Sequence, residues 1–335
     1  MAKQLTSIEI CAGAGGQALG LERAGFEHLA LVENDSSCCE TLRNIRAWKP
    51  AVREINLKEW RAHDFRGSVD LFAGGVPCPP FSRAGGQLGG DDDRDLFPTA
   101  VRLITECQPA AVLLENVRGL LHERFDDYRE DVIVKPLERL GYRSMGWKVI
   151  EARQFGVPQL RPRAVFVAMR EPFAAHYQWP TEDDEVEPLT VGQALYREMA
   201  RGGWKGAKEW SKRANEIAPT LVGGSKKHGG PDLGPTQAKA KWEQLGVNGK
   251  LIAEAPPAKN WGTADPYLTV KMAAILQGFP KDWPFYGRKT AAYRQVGNAF
   301  PPPVAEAIGV SIAAAIRAGA AKKPRKTQAR TLSAA

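Results

Sequence analysis

The sequence predicts an α/β fold, a sheet with helices on both faces joined to a smaller, irregular, β-containing domain. Three observations predict it. Short apolar runs alternate with amphipathic stretches through the first half of the chain, the pattern of successive β-α-β units. The alternation stops near Pro180, and the next stretch is rich in Gly, Lys, Pro and Trp with little periodicity. Order returns near residue 267 and the chain closes with an apolar stretch at 303–319. Residues 1–180, completed by 285–320, are therefore expected to form the larger domain. Residues 181–284 form the smaller one, and 321–335 a disordered basic tail.

Each element follows in order. "TSIEIC" (6–11) reads as a strand, and "AGAGGQALGLERAG" as a glycine turn opening a helix. "HLALVEN" (28–34) is a second strand, and "SSCCETLRNIRAW" (36–48) a helix capped by Asp35 or Ser36. "VDLFAGG" (69–75) is a strand, "FPTAVRLITECQ" a helix, and the run at 111–118 a buried strand ending in a carboxylate, Glu115. "AVFVAM" (164–169) continues the pattern, so the sheet is expected to be parallel. Residues 214–234 read as loops and short strands. Trp204, Trp210 and Trp242 read as core of the smaller domain, and 303–319 as a final helix.

The 335 residues are 43% hydrophobic and 25% charged, ordinary for a globular protein, and carry a net charge of +8. A basic balance favours a polyanionic partner without specifying a fold. The five cysteines, Cys11, Cys38, Cys39, Cys78 and Cys107, include no C-x-x-C pair, so free thiols in a reducing cytosol are expected, with no metal site. The start lacks a signal-peptide pattern and no run approaches 18 uncharged apolar residues, so no membrane span is expected.

Four constellations carry chemistry. The glycine turn at 12–16 lies between a strand and a helix, with Glu33 ending the next strand. That layout suits a nucleoside cofactor whose ribose bonds the acid, or a plain tight turn. "GGVPCPPFS" (74–82) places Cys78 among Pro77, Pro79 and Pro80. Prolines fix the backbone and push the preceding residues into extended conformations, so the loop is a rigid mount for a nucleophile rather than a core thiol. Glu115 closes an apolar strand, where burial can raise its pKa and make it a proton donor; a solvated strand end is the alternative. Gln159, Arg161 and Arg163 alternate along an extended segment and point one way, towards an anion or a polarised carbonyl, or into solvent.

In this order and spacing the motifs closely resemble the C5-cytosine DNA methyltransferases. The glycine turn resembles their first motif, "PCPPFS" their Pro-Cys motif, and "ENV" their Glu-Asn-Val motif. "QLRPR" resembles Gln-x-Arg-x-Arg, and "YRQVGNAFPPPVAEAIG" (293–309) the last motif. The resemblance covers 6–180 and 265–315. It implies a Rossmann-like sheet of the kind that binds S-adenosylmethionine, with a target recognition domain at 181–284. The implied activity is methylation of cytosine C5 in double-stranded DNA, releasing S-adenosylhomocysteine. By the same resemblance Cys78 attacks C6 of a flipped-out base. Glu115 bonds N3 and the exocyclic amine, Arg163 contacts the base carbonyl, and Arg161 contacts the same site or its phosphate. Cys11, Ala12, Gly13, Gly16, Glu33, Asn34, Asn56, Leu57, Gly75, Pro77, Asn298 and Ala299 are implied to line the cofactor pocket. Ser82, Arg83, Arg213, Thr220, Ser225, Lys226 and Lys227 are implied to contact DNA. "GGQLGGDDDRDLF" (85–97) is implied to be a loop closing over DNA, its acidic cluster facing solvent or the basic smaller domain. A cytoplasmic monomer, acting beside a cognate restriction endonuclease, fits the family.

Three positions depart from the family pattern: Cys11 stands where Phe is usual, Pro79 where Gln is common, and Asn56 where many members have an acid. Rival readings fit less well. A nicotinamide dehydrogenase needs G-x-G-x-x-G and leaves the last motif unexplained. The RNA-modifying subclass carries a Cys-Phe-Thr tripeptide that this sequence lacks. A silent DNA binder would have no need of Cys78, Glu115 and Arg163 together.

Overall fold

The computed structural model describes residues 3–77, 95–181, 187–224 and 230–321. In chain order the elements are β1 (Leu5–Ile10), α1 (Gly16–Arg23), β2 (Phe26–Glu33), α2 (Ser36–Arg43), β3 (Val52–Glu54), β4 (Leu71–Gly75) and α3 (Phe97–Cys107). There follow β5 (Ala111–Val117), α4 (Asp126–Tyr128), α5 (Lys135–Arg139), β6 (Tyr142–Glu151) and β7 (Pro162–Arg170). The remaining helices are α6 (Val191–Ala200), α7 (Ala207–Arg213), α8 (Thr236–Gln244), α9 (Val270–Leu276), α10 (Lys289–Asn298) and α11 (Pro302–Ala321).

The strands form one sheet in the order β3-β2-β1-β4-β5-β7-β6. The first five are parallel, as the alternating pattern predicts, but β7 is antiparallel to both β5 and β6. This corrects the all-parallel expectation. The run "AVFVAM" is buried on both faces, and a doubly buried run has the same composition in either direction. Direction matters to the site. Because β7 runs back, Arg163, its second residue, lies opposite Val117, at the carboxyl end of β5.

Ile8 and Ile10 face a core formed with Phe72, Leu114, Phe97 and Ile104, on the α3 side. Leu5, Leu71 and Leu113 face the other side, with Leu21 of α1 and Val304, Ile308 and Ile312 of α11. The chain thus returns from residue 302 to complete the sheet's second face. Glycines permit the approach of α1 to that returning segment. A Cβ on Gly16 would lie 2.4 Å from the Phe300 carbonyl oxygen, and one on Gly20 2.4 Å from that of Pro302. Residues 289–321 are long and apolar enough to cross a membrane by length and composition alone, but half of the most apolar window is buried inside the fold, as in a core helix. The apolar face of this stretch is used against α1 and the sheet.

Between residues 181 and 284 the described residues form helices α6 to α9 and no strand. Isolated bridges are the extent of β structure there, so the expected β content is not found among them. Trp204, Trp210 and Trp242 are buried, as core tryptophans would be. The apolar cluster that holds them also contains Ala18, Leu42 and Trp48 of the sheet's flanking helices and turns.

Candidate active site at the carboxyl edge of the sheet

Glu33, Glu115 and Gly75 sit at or near strand ends, along the carboxyl edge of the sheet. The β1 strand stops at Ile10 because Cys11, Gly13 and Gly15 adopt left-handed backbone conformations, with φ of 51°, 53° and 80°. Such angles suit glycine and are uncommon for Cys. Glu33, at the end of β2, holds this turn. Its Oε2 accepts from the Gly13 amide and its Oε1 from the amides of Asn34 and Asp35, each at 2.8 Å. Asp35 in turn caps α2, accepting from Ser37 and Cys38. Asn56 follows β3 and uses its Oδ1 to accept from the Lys58 amide at 3.0 Å, while Leu57 is buried behind it. Cys11 is half-buried beside the two acids of this edge; burial, then Glu33, push its thiol pKa up.

Glu115 and Arg163 are brought together by the antiparallel pairing. Arg163 Nε lies 2.8 Å from Glu115 Oε1, and both side chains are almost covered, at 13% and 11% exposure. Burial raises the Glu115 pKa above the usual carboxylate range; the positive charges of Arg163 and Arg161 pull it back. Gly75 is the register partner of Glu115 on β4, and a Cβ there would come within 3.0 Å of Glu115 Oε2. Asn116 points back across the edge: its Nδ2 donates to the Val76 carbonyl at 3.2 Å and its Oδ1 accepts from the Val117 amide. It therefore fixes the backbone two residues before Cys78. Pro77 is exposed at the end of the described segment. Cys78, Ser82, Arg83, Ser225, Lys226 and Lys227 lie outside the described residues. So does most of 85–97. Asp95, at its end, does not face solvent: it is buried, accepting from the Phe97 amide at 3.0 Å and from the Tyr128 hydroxyl at 2.5 Å.

Arg161 departs from the expectation of a contact with base or phosphate. It is fully buried, its Nη1 donating to the Leu221 carbonyl at 2.9 Å and its Nη2 to those of Gly297 and Ala299, at 2.8 and 2.9 Å. Burial, then Arg163, lower its pKa, yet a guanidinium keeps its proton in such a site. Gln159 beside it accepts from the Leu221 amide at 2.9 Å and donates to Gln277 at 2.6 Å. Sequence reasoning missed Gln277; a lone Gln between apolar neighbours at the end of a helix was its signal.

Asn298 and Ala299 follow directly in this structure, Asn298 exposed and donating to the Gly224 carbonyl at 3.2 Å, Ala299 buried. Of the residues expected to contact DNA, Thr220 donates to the Leu160 carbonyl at 2.5 Å and Arg213 is paired with Asp265. Among the described residues no cluster of His, Cys, Asp or Glu is placed to hold a metal ion.

The arrangement can bind a cofactor over the turn at Gly13 and present a buried, partly neutralised carboxyl beside a guanidinium to a flat polar ring. Comparisons with known proteins identify the family. The model of the family described as C-5 cytosine-specific DNA methylase matches residues 5–314. The Type II methyltransferase M.NaeI of Lentzea aerocolonigenes is 51% identical, over 94% of this chain and 76% of its own length. The Type II methyltransferase M.NgoMIV of Neisseria gonorrhoeae is 48% identical, over 94% of this chain and 99% of its own. The solved structure of the Entamoeba histolytica methyltransferase EhMeth superposes with a TM-score of 0.64 at 14% identity, covering 93% of this chain and 98% of that one, which supports the fold.

Proposed function

Because the chain belongs to the C-5 cytosine-specific DNA methylase family, we propose that it methylates cytosine within one short duplex sequence, on a base flipped out of the helix and bonded through C6 to Cys78. The observation that carries this reading is the buried Glu115–Arg163 pair at the carboxyl edge, one strand away from the segment leading into Cys78.

The family uses S-adenosylmethionine, and the residues of the edge fit it. A Cβ built on Gly13 meets nothing within 4 Å, so the turn leaves room above it. On the two elements that flank this turn, Glu9 Oε2 of β1 and both amide atoms of Gln17 of α1 are buried without a hydrogen-bond partner, unlike a closed apolar core. Cys11, Ala12, Gly13, Gly16 and Glu33 would hold the cofactor from the β1–β2 side, with Asn34, Asn56 and Leu57 beyond. Gly75, Pro77, Asn298 and Ala299 would hold it from the other side. When bound, it supplies an electrophilic methyl group on sulfur.

The chain's own groups then have distinct tasks. Cytosine C5 is a weak nucleophile, and addition of the Cys78 thiolate to C6 makes C5 electron-rich. Negative charge collects on N3 as that bond forms. Glu115, kept towards its protonated form by burial, donates a proton to N3, and its second oxygen accepts from the exocyclic amine. Arg163 orients Glu115 and donates to the base carbonyl. Asn116 keeps the backbone carbonyl of Val76 in place, so that the Cys78 loop starts from a fixed point. After transfer a base removes the C5 proton and the Cys78–C6 bond breaks, returning the thiolate.

The base must leave the stack for these groups to reach it. Residues 181–284, with Arg213, Thr220, Ser225, Lys226 and Lys227, would grip the duplex, together with Ser82 and Arg83. The enzyme is proposed to act as a cytoplasmic monomer alongside a restriction endonuclease of the same specificity, as the Type II label of its relatives suggests.

The test is base-resolution sequencing of 5-methylcytosine in DNA from a methylation-free bacterial host expressing the chain. Methylation at one short motif, lost with Cys78→Ala, is expected. Equal methylation by the variant would overturn the nucleophile assignment.

A further inference from the structure

Gln159, Arg161 and Gln277 form a closed, fully buried polar network that touches neither the Glu115 oxygen paired with Arg163 nor solvent. What it does touch is backbone, from two directions. On one side lies the segment 218–224. Leu221 is bonded through both its groups, its amide to Gln159 Oε1 at 2.9 Å and its carbonyl to Arg161 Nη1 at 2.9 Å. On the other side lies 297–299. Arg161 Nη2 bonds the Gly297 and Ala299 carbonyls, and Gln277 Nε2 bonds the Ala299 carbonyl at 2.5 Å. Gln277 Oε1 accepts from Gln159 at 2.6 Å and closes the circuit, while Gln159 also donates to the Leu276 carbonyl at 3.1 Å.

The two segments also meet directly, without room between them. A Cβ on Gly297 would lie 2.4 Å from the Gly223 nitrogen, and one on Gly223 2.5 Å from Asn298 Oδ1. Asn298 Nδ2 reaches the Gly224 carbonyl. One planar guanidinium thus holds both backbones in one fixed relation, since its nitrogens cannot move independently. A buried network of this kind is stiff, because any displaced carbonyl is left without a donor.

Resting on the proposed function, in which 218–224 leads into the DNA-contacting loop and 297–299 closes the cofactor pocket, we infer that Gln159, Arg161 and Gln277 are positioning residues that couple the two ligands. DNA that settles the 218–224 segment settles 297–299 through the shared network, and binding of each ligand strengthens binding of the other. Reciprocity is required: the factor by which DNA tightens the cofactor equals the factor by which the cofactor tightens DNA.

Gln277 gives the cleanest test, because it contacts neither ligand in this reading. The affinity of S-adenosylhomocysteine is measured by calorimetry with and without saturating plasmid DNA from a methylation-free host. The wild type is expected to bind it about 5-fold or more tightly with DNA present. In Gln277→Met, which keeps the volume and removes both hydrogen bonds, the affinity without DNA is expected to stay within about 2-fold, and the gain from DNA to fall below about 2-fold. Gln277→Glu keeps the acceptor towards Gln159 and loses the donor towards Ala299; it is expected to lose the gain as well. It also serves if the Met variant does not fold. A purely structural role would lower melting temperature and active fraction but leave the ratio of the two affinities unchanged. The inference is overturned if the wild type shows no gain, or if the folded variants keep it in full. If the wild type binds neither S-adenosylhomocysteine nor DNA, the proposed function itself falls, a distinct outcome.

Discussion

Arg161 and Arg163 stand two residues apart on one extended segment and serve two regions with opposite characters. Arg163 belongs to the cleft at the carboxyl edge, where it meets a carboxylate under strain from burial. Arg161 belongs to the seam between 218–224 and 297–299, where it meets neutral carbonyls. Residue type and spacing are the same, so the partners decide. A guanidinium on backbone carbonyls is a fastening; its charge does not match any developing charge on a substrate. A guanidinium beside a carboxyl whose pKa burial raises opposes that rise. A raised carboxyl pKa beside a charged partner in a cleft marks a candidate functional site, and a guanidinium whose two Nη atoms bond backbone carbonyls marks a fastening.

The contrast breaks most directly at Arg161. Arg161→Met leaves the Leu221, Gly297 and Ala299 carbonyls buried without this donor, and a loss of about 3–5 kcal/mol is expected in urea unfolding. Arg163→Met should cost less stability, because Glu115, whose pKa burial already raises, can take up a proton once its partner is gone. Equal losses would erase the distinction between seam and cleft. The mirror experiment is Glu115→Gln, expected to lower the rate of methyl transfer about 10²- to 10⁴-fold with the melting temperature unchanged. A drop confined to cofactor affinity would remove Glu115 from the chemistry.

Glycines sharpen the same comparison at smaller scale. Gly297→Ala places a Cβ 2.4 Å from a backbone nitrogen, which cannot yield as a side chain can. Overpacking of that kind should cost about 1–3 kcal/mol of stability. Gly75→Ala places a Cβ 3.0 Å from Glu115 Oε2, a side-chain atom that can give by a few tenths of an ångström. Its expected signature is slower transfer in a protein of near-normal stability, read from single-turnover rates beside a thermal melt.

Much of the cleft was legible in the sequence, because its residues are where strands stop. Glu33 and Glu115 close apolar runs, and Asp35 stands at the start of a helix; all three are found in those places. The seam was not legible. Its partners are backbone carbonyls, which every residue has, and they come from Leu221, Gly297 and Ala299, far apart in the chain. The direction of β7 was hidden for a related reason, since a strand buried on both faces reads the same either way. The helices between 191 and 276 were hidden by short length and by glycine and proline around them, which suggested loops.

The smallest expected effect is a displacement of a pH profile, and it tests the link between the two members of the cleft. Burial holds the Glu115 pKa above the usual range, and Arg163 is the larger of the two charges opposing that rise. If the protonated carboxyl is the working form, the rate of transfer falls as pH climbs through its pKa. Removing the guanidinium in Arg163→Gln takes away a cation that favours the carboxylate, so the pKa rises and the alkaline limb moves to higher pH. Arg161→Lys, at greater distance and with positive charge kept, should leave that limb in place. Single-turnover rates across the pH range isolate the chemical step from product release. An acid limb in place of the alkaline one, moving to higher pH in Arg163→Gln, would mean that Glu115 works as a carboxylate, and that Arg163 is held there for the base rather than for the acid.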